Sequence, residues 1–514
     1  MNGCRMDIRI SFRFNSVKVL DREGMNRPMR IKIVAISVVA GAVLTGCAVG
    51  PDFHRPEPPA TKDYTPAAMP EKTSATSGIA GEAQRFLAGR DIPDLWWTLF
   101  HSKALDQMIR QALAGSPTLI AAQATLREAQ ENERALVGEA LVPAVDGNVS
   151  AQRQKISGAA FGQPNLPGSL FNLYNASVSV SYALDLFGGA RRELEALRSQ
   201  VDFQGYQLEG AHIALTSNII TTAIQEASLR DQIRTTQEMV ALMEKEVGLV
   251  ERQFLLGGAS RSDVLAQQAQ LAQTRATLPP LELNLAQTRH RLAVLVGQLP
   301  SEAVLPEFEL QGLQLPQDLP VSLPSSLVRQ RPDVLASEAL LHQASAQIGV
   351  ATAAMFPQIT LSGNYGSETS AGHDLFTAGT SVWRLGAGLL QPLFHGGQLS
   401  AQRRAAIAAY DQAAAQYRET VLEAFQNVAD VLRALELDAD LLKAQSEAEA
   451  SARESLDMTQ KQFDLGAVNF LSLLDAQRQH RLAQVILIQA EARRYSDTVA
   501  LFQALGGGWW NRTQ

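Results

Sequence analysis

Asn175-Ala-Ser-Val178-Ser-Val180-Ser-Tyr182-Ala-Leu184-Asp185-Leu186-Phe187-Gly188-Gly189 decides the fold, because the period of the chain changes at its end. Up to Leu186 the residues alternate: Val178, Val180, Tyr182, Leu184 and Leu186 fall on one face, and Ser177, Ser179, Ser181 and Asp185 on the other. Period two means a strand with one apolar and one polar face. After Gly188-Gly189 the chain runs 66 residues, 190–255, without a proline. At 1.5 Å per residue that is about 100 Å of helix, several times the length of an ordinary globular helix. Leu194, Val201, Leu208, Leu215 and Leu229 recur along it in steps of seven or a multiple of seven, interrupted by Thr222. That is the seam of a coiled coil. On the heptads alone a filament or spacer is the favoured reading.

The same succession occurs twice. A second rod, 399–464, opens at Gly396-Gly397 and carries Ile407, Ala414, Val421, Val428, Leu435 and Leu442 in one register and Tyr410, Tyr417, Ala424 and Val431 in the other. Gln253-Phe254-Leu-Leu-Gly257 answers Gln462-Phe463-Asp-Leu-Gly466 at a separation of 209 residues, and Leu265/Leu474, Gln268/Gln477, Leu292/Leu501 and Gly297/Gly506 keep it. Upstream, Val142-Pro143 answers Phe356-Pro357, and Phe187-Gly-Gly answers Phe394-His-Gly-Gly. Further alternating segments lie at 144–152, 358–366 and 382–393, with 154–173 as a loop rich in Gly, Pro and Asn. The chain therefore divides into a first repeat, 94–297, with a β-hairpin over 144–187 and a coiled-coil hairpin over 190–296. A Pro-rich linker, 298–324, leads to a second repeat, 325–508, with a β-hairpin over 358–393 and a coiled-coil hairpin over 398–505. Residues 509–514 form a tail. Short helices over 102–114 and 117–141 precede the first hairpin. Helix 117–141 and the returning run 261–296, broken at Pro279-Pro280, together match the length of the rod beside them.

Composition narrows the class. Of 514 residues 46% are hydrophobic and 19% charged, with a net charge of −7, which gives no footprint for nucleic acid. The two cysteines, Cys4 and Cys47, have no disulfide or metal-ligand spacing, and the eight histidines are scattered. There is no HExxH, GxSxG, P-loop or dinucleotide fingerprint, so no enzyme and no cofactor is expected. Met25-Asn-Arg-Pro-Met-Arg-Ile-Lys followed by apolar Ile33 to Gly46 reads as an export signal, too short to span a bilayer. Met25 or Met29 is then the expected start. The signal ends Leu44-Thr45-Gly46-Cys47, which resembles the lipobox of bacterial lipoproteins; the thiol of Cys47 is the expected lipidation site. Ala48 follows the cysteine, and the absence of an aspartate there points to the outer membrane. Residues 1–46 are upstream segment and signal. Residues 47–93, rich in Pro, Ala, Thr and Ser, read as an anchor and extended strap.

Strands of nine to eleven residues suit a tilted membrane barrel, although the pattern alone also describes a soluble hairpin. Four strands cannot close, and hydrocarbon does not tolerate an open edge. Two chains would give eight strands and a filled interior; three give twelve and a wet lumen. The Ser, Asn, Gln and Thr of the inner face favour the second.

The lipobox, Trp96-Trp97, Gly188-Gly189, the Phe-x-x-Gly tips and Leu474-Asp475-Ala476-Gln477-Arg478 together resemble the outer membrane factors of tripartite efflux systems, the TolC/OprM-like channels, and among them the lipid-anchored NodT-like branch. The resemblance covers residues 47 to about 508. It implies a homotrimer, a 12-stranded β-barrel with a long α-helical periplasmic tunnel, a periplasmic membrane-fusion adaptor, and an inner-membrane RND-type pump or ABC exporter. It places a closing apolar ring on Leu471 and an acidic ring on Asp475, with Arg478 one turn on. The alternative for Asp475 is a solvated carboxylate near a helix start. Where the family often has a tyrosine this chain has Phe463, so a hydroxyl tether is missing. The tips Gly257, Gly258, Ala259 and Ser260, with Gly466, Ala467 and Val468, are expected to meet the adaptor or simply to make the turn. The expected function is a passive outer membrane duct for small-molecule efflux. The alternatives are the duct of a type I protein secretion system and a pore-free coiled-coil lipoprotein.

Overall fold

The computed structural model describes residues 48–66, 69–157, 159, 162, 165 and 167–512. The signal segment, Cys47 and the starts at Met25 and Met29 lie outside the described residues. The described chain opens with strand β1 (Arg85–Ala88), a 3-10 turn (Trp96–Phe100), α1 (Lys103–Gly115) and α2 (Pro117–Leu141). The first hairpin, β2 (Ala144–Ile156) and β3 (Ser169–Leu184), leads into α3 (Gly189–Leu255), which returns as α4 (Arg261–Ala276) and α5 (Leu278–Leu295). Strand β4 (Asp318–Val321), the single turn α6 (Pro324–Leu327) and α7 (Pro332–Ala353) follow. The second hairpin is β5 (Gln358–Thr369) and β6 (Ser381–Leu390), leading into α8 (Gln398–Asp464) and α9 (Phe470–Ala504).

Local chemistry sets these boundaries. Ser102 caps α1 by accepting from the Leu105 amide, and Pro117 and Pro332 occupy first turns, where a missing N–H costs nothing. The two rods are 67 residues each. Gly188/Gly397, Gly257/Gly466 and Gly297/Gly506 all sit in the left-handed region, each pair 209 residues apart, so both copies start and reverse their helices with the same backbone turn. In α4 and α5 the interruption falls at Thr277, just before Pro279-Pro280, and the helix resumes at Leu278. No such break occurs in α9, which runs 35 residues.

Three of the four long strands exceed their expected lengths, whereas β6 stops at Leu390, before Pro392, three residues short of the expected 393. β2 continues to Ile156 and β3 begins at Ser169, so much of the 154–173 loop is paired backbone. Ladder hydrogen bonds continue there although Arg153, Gln154 and Lys155 no longer alternate in polarity, and alternation was the only signal available. The strap and linker are also more ordered than an extended run. β1, in the strap, pairs in parallel with β4, in the Pro-rich linker, through Arg85–Asp318, Phe86–Leu319, Leu87–Pro320 and Ala88–Val321.

The main core lies where this small sheet, α1, α7, the middles of α3 and α8 and the C-terminal half of α9 converge. Trp96 stacks on Phe502 at 5.0 Å, and Phe100, Ile109, Ile219, Ile220 and Leu319 are fully buried. Thr222, the break in the heptads, is buried too, with its hydroxyl donating to the Asn218 carbonyl one turn back. In α8 the buried hydrophobic set is Tyr417, Val421, Ala424, Val428, Leu432, Leu435, Ala439 and Leu442. The seam thus slips from the expected Val431 to Leu432, the drift of a 3.6-residue helix against a strict heptad. Among the described residues no helix is long and apolar enough to cross a membrane.

Candidate functional site

The four long strands form one antiparallel sheet in the order β2-β3-β5-β6, in which β3 and β5 join the two repeats. Register carries the alternation across all four strands. Asp146, Ser179, Asn364 and Arg384 stand in one row, and Ala144, Ser181, Ser362 and Gly386 in another. On the opposite face Gly147, Val178, Tyr365 and Trp383 form a row, and Leu184, Ile359 and Leu389 a second. Val145, Val149, Tyr365, Trp383, Leu385 and Leu389 are all exposed in the single chain. A sheet with a naked apolar face and unpaired edges at β2 and β6 suits a lipid-facing wall that copies of itself complete.

The strap begins at the junction of sheet and helices. The Val49 amide donates to the Phe187 carbonyl at 3.0 Å, and a Cβ on Gly188 would stand 2.5 Å from that of Ala48. Arg192, nearly buried, binds Asp52 at 2.6 Å and Glu195 at 2.7 Å, while its Nε donates to the Val49 carbonyl. Burial opposes the charge on Arg192, but the two carboxylates more than offset it and raise its pKa. Farther along, Phe53 stacks on His342 at 4.3 Å, Arg55 binds Glu338 at 2.6 Å and the Tyr64 hydroxyl donates to the Ser322 carbonyl at 2.8 Å. Residue 48 therefore lies beside the end of β3 and the start of α3.

At the other end of the rods lie two helix reversals. Gly257 and Gly466 take φ of +80° and +74°. Ser260 caps α4 in a reciprocal box with Asp263, and Asn469 caps α9 through the Ser472 amide. Gly258, Ala259, Ala467 and Val468 complete the turns. Beside them Leu255, Leu256 and Leu465 are 81%, 87% and 85% exposed, an apolar rim around the small turn residues. The two tips pack together through Val250, Val264, Phe470 and Leu473, and Phe463 joins this cluster with its ring 5.6 Å from that of Phe470. Where a hydroxyl tether was missing there is an aromatic clasp.

Leu471 is 63% exposed and stands clear of that cluster. Asp475 is paired within its own helix to Arg478 at 2.6 Å, with both side chains more than half exposed. The charge there is compensated before any second chain arrives, and an exposed pair of this kind is worth at most about 1 kcal/mol. The deeper polar contacts were not legible in the sequence. Glu246 on α3 accepts from Gln267 on α4 at 2.9 Å and from Gln477 on α9, tying the first helical hairpin to the second. Burial raises the Glu246 pKa in spite of both donors. His480 contacts Glu449 at 3.1 Å, and Glu449 is held by Arg453 at 3.3 Å. In the sequence Gln477 is visible only as a repeat position and as part of the Leu474-Asp475-Ala476-Gln477-Arg478 motif. Its partner lies 231 residues away, and no local pattern joins the two.

Three comparisons bear on this architecture. A family model described as outer membrane efflux protein matches residues 108–298 and 323–507. The pyoverdine export outer membrane protein OpmQ of Pseudomonas aeruginosa is 31% identical over 447 residues, 85% of this chain and 93% of the relative. The probable outer membrane lipoprotein SilC of Salmonella typhimurium is 27% identical over 485 residues, 93% of this chain and 99% of the relative. Among solved structures, the outer-membrane channel OprN superposes with a TM-score of 0.80 at 27% identity, over 90% of this chain and all of that one.

Proposed function

The chain belongs to the outer membrane efflux protein family, and from that membership we propose that it is the outer membrane duct of a tripartite system that exports small molecules. Three copies close a twelve-stranded barrel from the β2-β3-β5-β6 sheet, polar face inward, and the rods continue the lumen as an α-helical tunnel. Cys47 carries the lipid, and the strap from Ala48 holds it at the foot of the barrel. The observation that carries this reading is the sheet itself: rows such as Asp146-Ser179-Asn364-Arg384 make a continuous wet face, backed by a continuous apolar one, with both edges open.

A duct needs closure and coupling at its far end. Leu471 projects near the tips, and Asp475 with Arg478 stands one turn farther, so three copies bring three apolar side chains and three compensated carboxylates towards one axis. Dewetting at the leucines and the field of the carboxylates would together bar free ion flow. The tips from Gly257 to Ser260 and from Gly466 to Val468, rimmed by Leu255, Leu256 and Leu465, offer the periplasmic adaptor small residues for close approach and apolar ones for burial. The energy source is an inner-membrane pump of the RND type, with an ABC exporter as the second class. OpmQ is named for pyoverdine export and not for protein secretion, which supports small-molecule efflux over the secretion of polypeptides. Substrate choice lies with the pump.

Conductance across a planar bilayer tests the gate. The purified wild-type trimer is expected to pass little current, and Leu471→Ala with Asp475→Ala is expected to raise basal conductance several-fold. Equal conductance of the two trimers would remove these residues from the closure.

A further inference from the structure

The outer wall of the sheet is not uniform along its length. The outward positions of β2 run Val145, Gly147, Val149, Ala151, Arg153 and Lys155, so the face turns from apolar to cationic at the end remote from the helices. The inward positions at that height are the uncharged Gln152 and Gln154. Both cations are exposed, and neither forms an ion pair with a described residue. Beside them the loop 370–380, between β5 and β6, folds back over the same outward face. A Cβ on Gly372 would touch the Tyr174 ring at 3.5 Å. The Phe376 amide donates to the Ser367 hydroxyl at 3.2 Å, the Ser367 and Thr380 hydroxyls are 2.6 Å apart, and the Glu368 amide donates to the Thr380 carbonyl at 2.9 Å. Ser367 and Ala176 are buried beneath the loop. Phe376 itself is held at a φ of +76° with its side chain 76% exposed. That backbone costs a bulky residue about 1–2 kcal/mol, yet it turns the ring away from the protein. Between loop and strands runs a groove of about 530 Å³ lined by Gly147, Val149, Val178, Tyr365 and Phe376.

The geometry points to a lipid site on the barrel's outer wall, in which the groove takes an acyl chain of a phosphorylated outer-leaflet glycolipid and Arg153 and Lys155 hold its phosphates. Continuity with the lipid-facing wall and charge complementarity select this occupant. The groove opens onto the row Gly147, Val178, Tyr365 and Trp383, which hydrocarbon must already cover. Arg153 and Lys155 lie four and six residues beyond Val149, about 13 and 20 Å along the strand, on the side where head groups replace acyl chains. Lipid-facing Lys and Arg cost little at that depth, and each gains from an anionic head group. The Phe376 ring then has the apolar neighbour that the protein itself does not supply.

This site presupposes the membrane barrel, so the experiment must separate the two. The full-length trimer, purified in detergent, is incubated with bisphosphorylated lipid A or its dephosphorylated form, and bound lipid is counted by native mass spectrometry. Wild type should retain the bisphosphorylated lipid. Arg153→Gln with Lys155→Gln should weaken retention about thirtyfold, the factor that two cation–phosphate contacts at a membrane surface are together worth. Phe376→Ser should lower retention of both lipids while keeping the preference for phosphate. Millimolar inorganic phosphate should not displace the lipid; complete displacement would mean a free-anion site and overturn the proposal. Equal retention of the two lipids, or an unaffected double variant, on an intact trimer would overturn it and leave the barrel standing. A monomeric, detergent-free preparation would overturn both.

Discussion

Glu491 shows how a single side chain can tune the helical bundle. It lies buried on α9, and burial, followed by the nearby carboxylates Asp231 and Glu449, pushes its pKa up to about 7. Since the folded value exceeds the unfolded one, its contribution is fully present below about pH 4.5 and is lost as pH rises through 7. Glu491→Gln should therefore raise thermal stability at pH 8, by on the order of 2 kcal/mol, and have little effect near pH 4.5. Melting of the detergent-solubilised trimer at the two pH values checks this; an equal change at both would show that the carboxyl titrates normally. Farther along the same helix Asp497 is likewise raised, by burial and by the adjacent Asp438 carboxyl, whereas buried Arg494 is lowered to about 10 and keeps its proton at neutral pH. Arg494 spends its donors on the strap, reaching the Gln84 side chain at 3.0 Å and the Glu82 carbonyl at 3.1 Å. The strap partners of Arg494 could not be assigned from sequence, because each contact joins segments about 410 residues apart.

Among the elements, what repeats with a short period was legible and what depends on a distant partner was not. The rods, the four long strands and the hairpin reversals all announce themselves through period two, period seven or a left-handed glycine. β1 and β4 are four residues each, too short for any period, and Pro320 within β4 argues locally against a strand. They exist because the strap and the linker meet edge to edge. At the candidate site the turn glycines and Leu471, Asp475 and Arg478 were named from residues and resemblance, whereas the leucine rim, the Phe463–Phe470 clasp and the Glu246–Gln477 tie required the folded chain. The reversals give a separable prediction. A Cβ at Gly257 or Gly466 would meet nothing within 4 Å, so alanine there pays only for the left-handed backbone, about 1–2 kcal/mol. Gly257→Ala and Gly466→Ala should speed hydrogen exchange in the adjoining helix turns without weakening the trimer. At Gly188, where Ala48 crowds the same backbone, alanine should disturb the seating of the strap as well. Matching exchange profiles for the wild type and the two tip variants would show that the turns do not depend on glycine.

For the whole molecule, duplication explains how a short vocabulary makes a long duct. Each repeat supplies two strands and one helical hairpin. β3 and β5 join them into one sheet, and the contacts between α3, α4 and α9 join them again near the tips. The edges that remain, β2 and β6, are what further copies must satisfy. The central claim is that the alternating strands wall a water-filled pore in lipid. Cysteine substitution along β3 in the liposome-reconstituted chain tests it most directly, read out with a membrane-impermeant maleimide. Ser177→Cys, Ser179→Cys and Ser181→Cys should label rapidly, while Val178→Cys, Val180→Cys and Tyr182→Cys should remain unreactive until detergent is added. Equal labelling of all six in intact bilayers would contradict the account.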